Sequence, residues 1–195
     1  MNKILNTRNK AFKNQLSFYL ELRKKSSSTK LSVVKKILAE VRKSKDNAVI
    51  KYEKKFSGIK KLNKNKIFFS KSEIKRNLRL LNKRTKADID LAYKRIFNFH
   101  KNQKVKTFSV TDKFKNKLSY RTNPIQKIGV YVPGGQASYP SSVLMNCIPA
   151  IIAGVPEIFM TVPSINKKIN PGILYAAKKC KIKKIYKVGG AQAIG

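Results

Sequence analysis

The sequence contains a single histidine, His100, and only two cysteines, Cys147 and Cys180. Two cysteines are too few to build a disulfide framework in a chain of 195 residues. A catalytic thiol needs a nearby base, so we expect Cys147 to be a small core residue of an apolar helix. His100 closes a predicted helix, and we interpret it as a C-terminal helix residue, not as a metal ligand or a catalytic group.

No segment is apolar for long enough to form a transmembrane helix. A membrane span needs about 20 apolar residues, whereas the longest apolar region here is interrupted by Asn146, Pro149, Gly154, Pro156 and Glu157. Residues 1–16 lack the continuous apolar segment of a secretory signal peptide. We therefore expect a soluble, cytoplasmic protein without a membrane partner.

Acidic residues are scarce. Nine Asp and Glu stand against 45 Lys and Arg, which gives a formal net charge of +36. Such a charge is typical of nucleic-acid-binding proteins. However, 37 of the basic residues are Lys and 8 are Arg, whereas base recognition and bidentate phosphate contacts favour Arg. We keep a basic nucleic-acid-binding protein without catalytic activity as the alternative function, and expect most of the lysines to form a solvated surface.

Charge is nearly absent from residues 128–166, where Glu157 is the only charged residue. A segment this free of charge in so basic a chain predicts burial. Residues 127–132 (KIGVYV) and 157–162 (EIFMTV) predict two buried strands. Between them, Pro133-Gly134-Gly135 predicts a turn, followed by an apolar helix with Ser141 or Ser142 as its N-cap and Gly154 at its end.

The same order of elements recurs further along the chain. Asn170-Pro171 predicts the start of a helix, and residues 184–188 (KIYKV) predict a third strand before Gly189-Gly190. Alternating strands and helices indicate a parallel α/β sheet, in which ligands bind at the carboxyl ends of the strands. Both glycine turns fall there, where backbone N–H groups can hold a pyrophosphate. Alternatively, the glycines form only tight turns.

The first half of the chain is very basic and predicts mainly helices. Apolar residues recur at helical spacing over 31–56, after a break at 26–29. A bend or second cap is expected at 45–47, and Ser57-Gly58 ends the helix. Further on, Ser70 and Glu73 have capping-box spacing, and 85–100 is a helix. Short extended segments are expected at 66–69 and, as a hairpin or edge strands, at 105–123. We place a domain boundary near residue 105, which separates 1–105 from 106–195.

Three motifs, in order, are similar to those of one enzyme family. YVPGGQASYPSSVLMNCIPAIIAGV (131–155), ILYAAKKC (173–180) and VGGAQAIG (188–195) closely resemble histidinol dehydrogenase of histidine biosynthesis. A weaker resemblance extends upstream through 33–56 and 96–103. The fold implied is α/β: a helical N-terminal region followed by an incomplete Rossmann-like parallel sheet of three strands with intervening helices.

The resemblance implies that residues 106–195 bind NAD through Tyr131 and Gln192. The glycine fingerprint GxGxxG does not follow the first strand, which continues as PGGQAS, so the spacing alone is a weak indication of NAD. Tyr131 can offer a ring face and a hydroxyl at a strand end, and Gln192 an amide donor and acceptor. Alternatively, Tyr131 is a core aromatic and Gln192 a helix-capping residue.

Enzymes of this family oxidise L-histidinol through L-histidinal to L-histidine with two NAD, and they are homodimers. They use one Zn²⁺, bound by Gln, His and Asp, together with a Glu-His pair for acid–base chemistry. In relatives these segments lie beyond the position of Gly195, so we expect neither zinc ligands nor catalytic residues here. The chain then corresponds to the N-terminal portion of the enzyme and is inactive on histidinol by itself.

Nucleic-acid binding tests the alternative function directly. If the lysines form only a solvated surface, the protein should bind DNA and RNA weakly and without sequence preference. Affinity should fall steeply as salt rises, because counterion release dominates the binding of any cationic chain. Fluorescence anisotropy titrations with several oligonucleotides at two salt concentrations measure this. Sequence preference, or low-micromolar affinity at physiological salt, would instead support the nucleic-acid-binding protein.

Overall fold

The computed structural model describes residues 5–59, 61–134, 139–164 and 169–195. The helices are α1 (Phe12–Ser57), α2 (Lys71–Arg79), α3 (Lys83–His100), α4 (Pro140–Ala153) and α5 (Pro171–Lys179), and the strands are β1 (Phe108–Thr111), β2 (Lys117–Tyr120), β3 (Lys127–Tyr131), β4 (Glu157–Thr161) and β5 (Lys184–Tyr186). In this described part of the chain, none of the helices is both long and apolar enough to cross a bilayer.

A three-stranded parallel sheet in the order β3-β4-β5 forms the centre of the second half. Met160 of β4 pairs with Val130 of β3 on one side and with Ile185 of β5 on the other. These three side chains are buried, and they share a core with the apolar faces of α4 and α5. The predicted α/β fold, with a helical region before a parallel sheet, is confirmed.

The two helices of the sheet begin in different ways. As predicted, Asn170-Pro171 starts α5. The Asn170 side chain accepts a hydrogen bond from the Gly172 N–H. The predicted N-cap of α4, Ser141 or Ser142, is wrong: the helix begins at Pro140, and both serines lie inside it. Proline suits the first helical position because its missing N–H would have had no partner there. Gly154 ends α4 with a φ of 88°, as expected.

Helix α1 turns back on itself at Lys45, where φ is 48° and ψ is −130°. The Tyr52 hydroxyl donates to Glu40 at 2.5 Å. Twelve residues of straight helix would separate these positions by about 18 Å, so the contact requires a sharp bend. The predicted bend at 45–47 and the helix end at Gly58, in the left-handed conformation, are confirmed. The break predicted at 26–29 is wrong, because α1 contains no Gly or Pro there and serine lowers helix stability only slightly.

The shorter elements follow the sequence patterns in part. Ser70 and Glu73 form the predicted capping box at the start of α2. The extended segment expected at 66–69 is reduced to a 3₁₀ turn, Lys64–Lys66, and an isolated antiparallel bridge between Phe68 and Tyr186. The hairpin expected within 105–123 is present as β1 and β2, and all eight of their residues are exposed.

The helical half and the sheet share one apolar core. Phe69 and Ile89 are buried in the same cluster as Val130 and Met160, and α3 packs against both α4 and α5. These buried contacts join residues on both sides of residue 105. The domain boundary near that residue stays a prediction.

An ion pair joins α2 to the segment after β5. The ammonium of Lys187 lies 2.7 Å from Glu73 Oε1, with its side chain 11% exposed and that of Glu73 33% exposed. Partial burial raises the pKa of Glu73, but hydrogen bonds from Lys187 and Ser70 outweigh this effect, so the pKa lies below its ordinary value. Glu73 therefore stabilises the fold in its ionised form.

Replacing Glu73 with Gln isolates this ion pair, because Gln also completes a capping box. We expect the free energy of unfolding at pH 7 to fall by about 1–2 kcal/mol. A carboxylate whose pKa is lowered by folding contributes fully to the free energy of unfolding at pH values above its pKa in the unfolded chain. That contribution is lost as the pH falls through its pKa in the folded protein. The deficit of Glu73→Gln should thus shrink as the pH is lowered below 4.5, as measured by urea unfolding.

Asp46→Asn is the matched control, since its pair with Lys64 spans 3.4 Å and both side chains are more than 60% exposed. We expect it to change stability by less than about 0.5 kcal/mol. An equal loss in both variants, or a deficit of Glu73→Gln that persists at low pH, would contradict the role given to the Glu73–Lys187 pair.

Candidate functional site

Three loops meet at the carboxyl ends of the parallel strands, as expected for a ligand site in such a sheet. They contain Gly134 after β3, Pro163 after β4, and Gly189-Gly190 after β5. Beside them, a cleft of about 740 Å³ separates the bend of α1 from the sheet face opposite α4 and α5. Arg42, Phe68, Phe159, Tyr186 and Gln192 are among its lining residues.

Pro163 lies between two of the glycines and explains why they lack side chains. A Cβ at Gly134 would lie 2.8 Å from the Pro163 ring, and a Cβ at Gly189 would lie 2.5 Å from it. Neither distance is possible for a real side chain without movement of the loop. These two glycines therefore allow the three loops to pack together, whatever else they do. Gly135, the second glycine of the predicted first turn, lies outside the described residues.

The backbone N–H groups of the second glycine turn are already engaged. Gly189 donates to Glu53 Oε2 at 3.2 Å, and Gly190 donates to the hydroxyl of Tyr131 at 3.3 Å. A pyrophosphate oxygen would need these same donors. The interpretation of Gly189-Gly190 as a phosphate-binding turn stays a prediction, and it would require these two N–H groups to change partners.

The two residues that the resemblance assigns to NAD, Tyr131 and Gln192, lie at the same turn. Tyr131 ends β3, and its hydroxyl reaches across to Gly190. Gln192 is 3% exposed and lines the cleft. Its Nε2 donates to Glu53 Oε2 at 3.1 Å, whereas its Oε1 is buried without a hydrogen-bond partner among the described residues. A buried amide oxygen without a donor is costly, so Oε1 is the atom at which a ligand would be stabilised.

Glu53 is a residue of this site that the sequence interpretation missed. Its side chain is 2% exposed, and one oxygen accepts both the Gly189 and the Gln192 hydrogen bonds. A signal was present, because Glu53 follows Val49 by four residues and so continues the apolar side of α1. A carboxylate on the buried side of a helix needs partners from elsewhere in the fold.

Cys147 and His100 occupy the predicted places in the fold, one in the core and one at the end of a helix. Cys147 is fully buried in α4. Hydrogen bonding to Cys180 and burial raise the pKa of the Cys147 thiol, so it stays protonated. His100 closes α3, and its Nδ1 lies 2.6 Å from Gln103 Oε1. Over the described ranges, no three His, Cys, Asp or Glu side chains come together as a metal site requires.

Comparison with known proteins identifies the family. The profile of the histidinol dehydrogenase family matches residues 20–195. The chain belongs to the histidinol dehydrogenase family. The histidinol dehydrogenase of Pelagibacter ubique is 49% identical over 195 residues, which are all of this chain and 44% of that protein. That of Syntrophotalea carbinolica is 41% identical over 161 residues, with 83% of this chain and 37% of that protein covered.

The fold agrees with a solved member of the family. The crystal structure of histidinol dehydrogenase from Elizabethkingia anophelis superimposes with a TM-score of 0.78 at 35% sequence identity, over 84% of this chain and 37% of that one. The chain thus spans less than half the length of the histidinol dehydrogenases it matches. This coverage is consistent with the predicted match to the N-terminal portion of the family.

Alanine substitutions test whether glycine is needed for the packing around Pro163. In Gly189→Ala the new Cβ would lie 2.5 Å from the Pro163 ring, and we expect a loss of about 1–3 kcal/mol of stability from overpacking. Gly129→Ala is the control, because a Cβ there has no atom within 4 Å. Thermal unfolding should show a lowered Tm for Gly189→Ala only. Equal melting of the two variants would show that the loops can separate without cost.

Proposed function

We propose that this chain is the N-terminal, NAD-binding portion of a histidinol dehydrogenase. In the complete enzyme, L-histidinol would be oxidised through L-histidinal to L-histidine. The observation that supports NAD binding most directly is the orphaned Gln192 Oε1, which is buried in the turn that the Tyr131 hydroxyl contacts. A protein that leaves an amide oxygen without a donor in a buried position is stabilised by a ligand that supplies one.

NAD, when bound, supplies the hydride acceptor for both oxidations. The residues of this chain would bind and orient it. Gln192 would accept a hydrogen bond through Oε1, and Tyr131 would offer ring surface and its hydroxyl at the end of β3. Thr161 donates to the Val188 carbonyl and ties β4 to the loop that carries Gln192.

Zinc does not fit the residues of this chain that the structure describes. Zinc sites of this kind use three or more His, Cys or carboxylate ligands, and the described ranges contain no such cluster. We therefore assign no step of the reaction to zinc here. We propose that the complete enzyme binds zinc and L-histidinol, is cytoplasmic and forms a homodimer.

Substitutions of Tyr131 and Gln192 test the NAD site in an enzyme completed with the remaining portion of a close relative. Tyr131→Phe keeps the ring and removes the hydroxyl, so NAD affinity should fall by roughly 0.5–1.5 kcal/mol if that hydroxyl bonds the cofactor. Tyr131→Ala should cost more, because contact area is lost as well. Gln192→Ala should cost about as much as Tyr131→Phe. Equilibrium NAD titration measures all three.

Two controls separate binding from structure. Because the Tyr131 hydroxyl also accepts the Gly190 N–H, the stability of each variant is measured without NAD. Zinc content is measured in Gln192→Ala and should be unchanged. Unaltered NAD affinity in all three variants would make Tyr131 and Gln192 structural residues, and loss of zinc from Gln192→Ala would give this residue a different role.

A further inference from the structure

Glu53 is a buried carboxylate with an unusual pair of partners. It lies on α1, in the helical half, yet its Oε2 accepts hydrogen bonds from the backbone of Gly189 and from the side chain of Gln192. Its side chain is 2% exposed, and no ion pair to it is present within the described residues. The carboxylate is thus satisfied by two neutral donors of one turn, and that turn is held against α1.

The carboxylate also determines which way the Gln192 amide faces. Glu53 Oε2 accepts from both Gly189 and Gln192, so the group of Gln192 that faces Glu53 is the NH₂. Oε1 is then the polar atom of the amide that is left to accept, and a Cβ added at Gly190 would lie 2.9 Å from it. The orphaned acceptor described above is therefore a direct consequence of the position of Glu53.

Three donors of this turn are taken by the protein itself. The Gly189 N–H and the Gln192 amide bind Glu53, and the Gly190 N–H binds Tyr131. Gln192 Oε1 remains as an acceptor without a hydrogen-bond partner among the described residues. An anion has no hydrogen to donate to this oxygen, whereas an N–H or O–H group would complete its hydrogen bonding.

We propose that Glu53 is a positioning residue that binds the NH₂ group of Gln192 and leaves its carbonyl to accept, so that Gln192 receives a hydrogen-bond donor of NAD and not its pyrophosphate. The donor is a ribose hydroxyl or an amide or amino N–H. This inference rests on the proposed function, in which Gln192 contacts NAD. A purely structural Glu53 would tie α1 to the sheet without selecting the part of the cofactor that binds there.

The first arm of the test asks whether Glu53 holds the amide, and it needs no ligand. Nuclear magnetic resonance of the full 195-residue chain follows exchange of the Gly189 N–H and the side-chain NH₂ signals of Gln192. Glu53→Leu should speed Gly189 exchange roughly tenfold and shift the Gln192 NH₂ signals. Glu53→Gln keeps one oxygen that can accept both bonds, so it should restore protection to within about threefold of the original chain.

Glu40→Gln is the matched control for loosening of α1. Glu40 is on the same helix and accepts hydrogen bonds from Lys51 and Tyr52, but it does not touch the turn. We expect no change at Gly189 or Gln192 in this variant. Unchanged exchange and NH₂ signals in Glu53→Leu, or equal changes in Glu40→Gln, would overturn the anchoring role of Glu53. If Glu53→Leu does not fold, the smaller Glu53→Ala takes its place, and unchanged Gly189 exchange and Gln192 NH₂ signals in that variant would overturn the proposal.

The second arm uses adenosine, nicotinamide riboside, inorganic pyrophosphate and NAD as probes of the same signals. NAD and at least one nucleoside should shift the Gln192 NH₂ and Gly190 resonances, and pyrophosphate should not. Shifts caused by pyrophosphate at Gly189 and Gly190 would overturn the assignment of a donor ligand. If NAD binds but the Gln192 NH₂ and Gly190 resonances do not shift, the assignment of a donor ligand to this turn is also overturned, while the proposed function stands. If no resonance of the chain responds to NAD, the proposed NAD binding is rejected. The role of Glu53 in holding Gly189 and Gln192 is tested separately, by the exchange measurements of the first arm.

Discussion

The buried carboxylate of Glu53 is the contact on which the arrangement of the site depends. It joins an N-terminal helix to the last glycine turn and is accommodated because two neutral donors converge on one of its oxygens. Removing those donors would leave a buried carboxyl group without hydrogen bonds, which is strongly destabilising. The position of α1 and the conformation of residues 189–192 are therefore coupled, and neither can shift without the other.

Pro163 adds a second constraint of a different kind. It is rigid, it lies between two loops, and it permits only glycine at the nearest position of each. Glycine-rich turns at the ends of parallel strands are usually interpreted as phosphate-binding loops. Here both N–H groups of one such turn are occupied by side chains, and the absence of a Cβ is explained by contact with a proline ring. The composition of a turn therefore does not by itself reveal what the turn binds.

The sequence predicted those parts of the fold that depend on neighbouring residues. Strands β3, β4 and β5 and helices α4 and α5 follow from short apolar runs separated by glycine and proline, and the capping box of Ser70 and Glu73 follows from spacing alone. The bend of α1 near Lys45 was also predictable.

The candidate NAD-binding residues Tyr131 and Gln192 came from the family resemblance, and the structure brings them to one turn without testing their role. Glu53 and Lys187 were missed because each is buried by partners far away in sequence, which a local pattern cannot register. The serine cap of α4 failed because Pro140 starts that helix earlier.

The Glu53 contacts also bear on the order in which the molecule assembles. The hydrogen bonds from Gly189 and Gln192 span 136 and 139 residues of chain. On a ribosome, α1 is complete long before either donor has been synthesised, and contacts of such high sequence separation form late because a long loop has to close first. Until then Glu53 lacks these two partners and stays hydrated. The final contact of α1 with the sheet region therefore has to wait until the glycine turn after β5 has been synthesised.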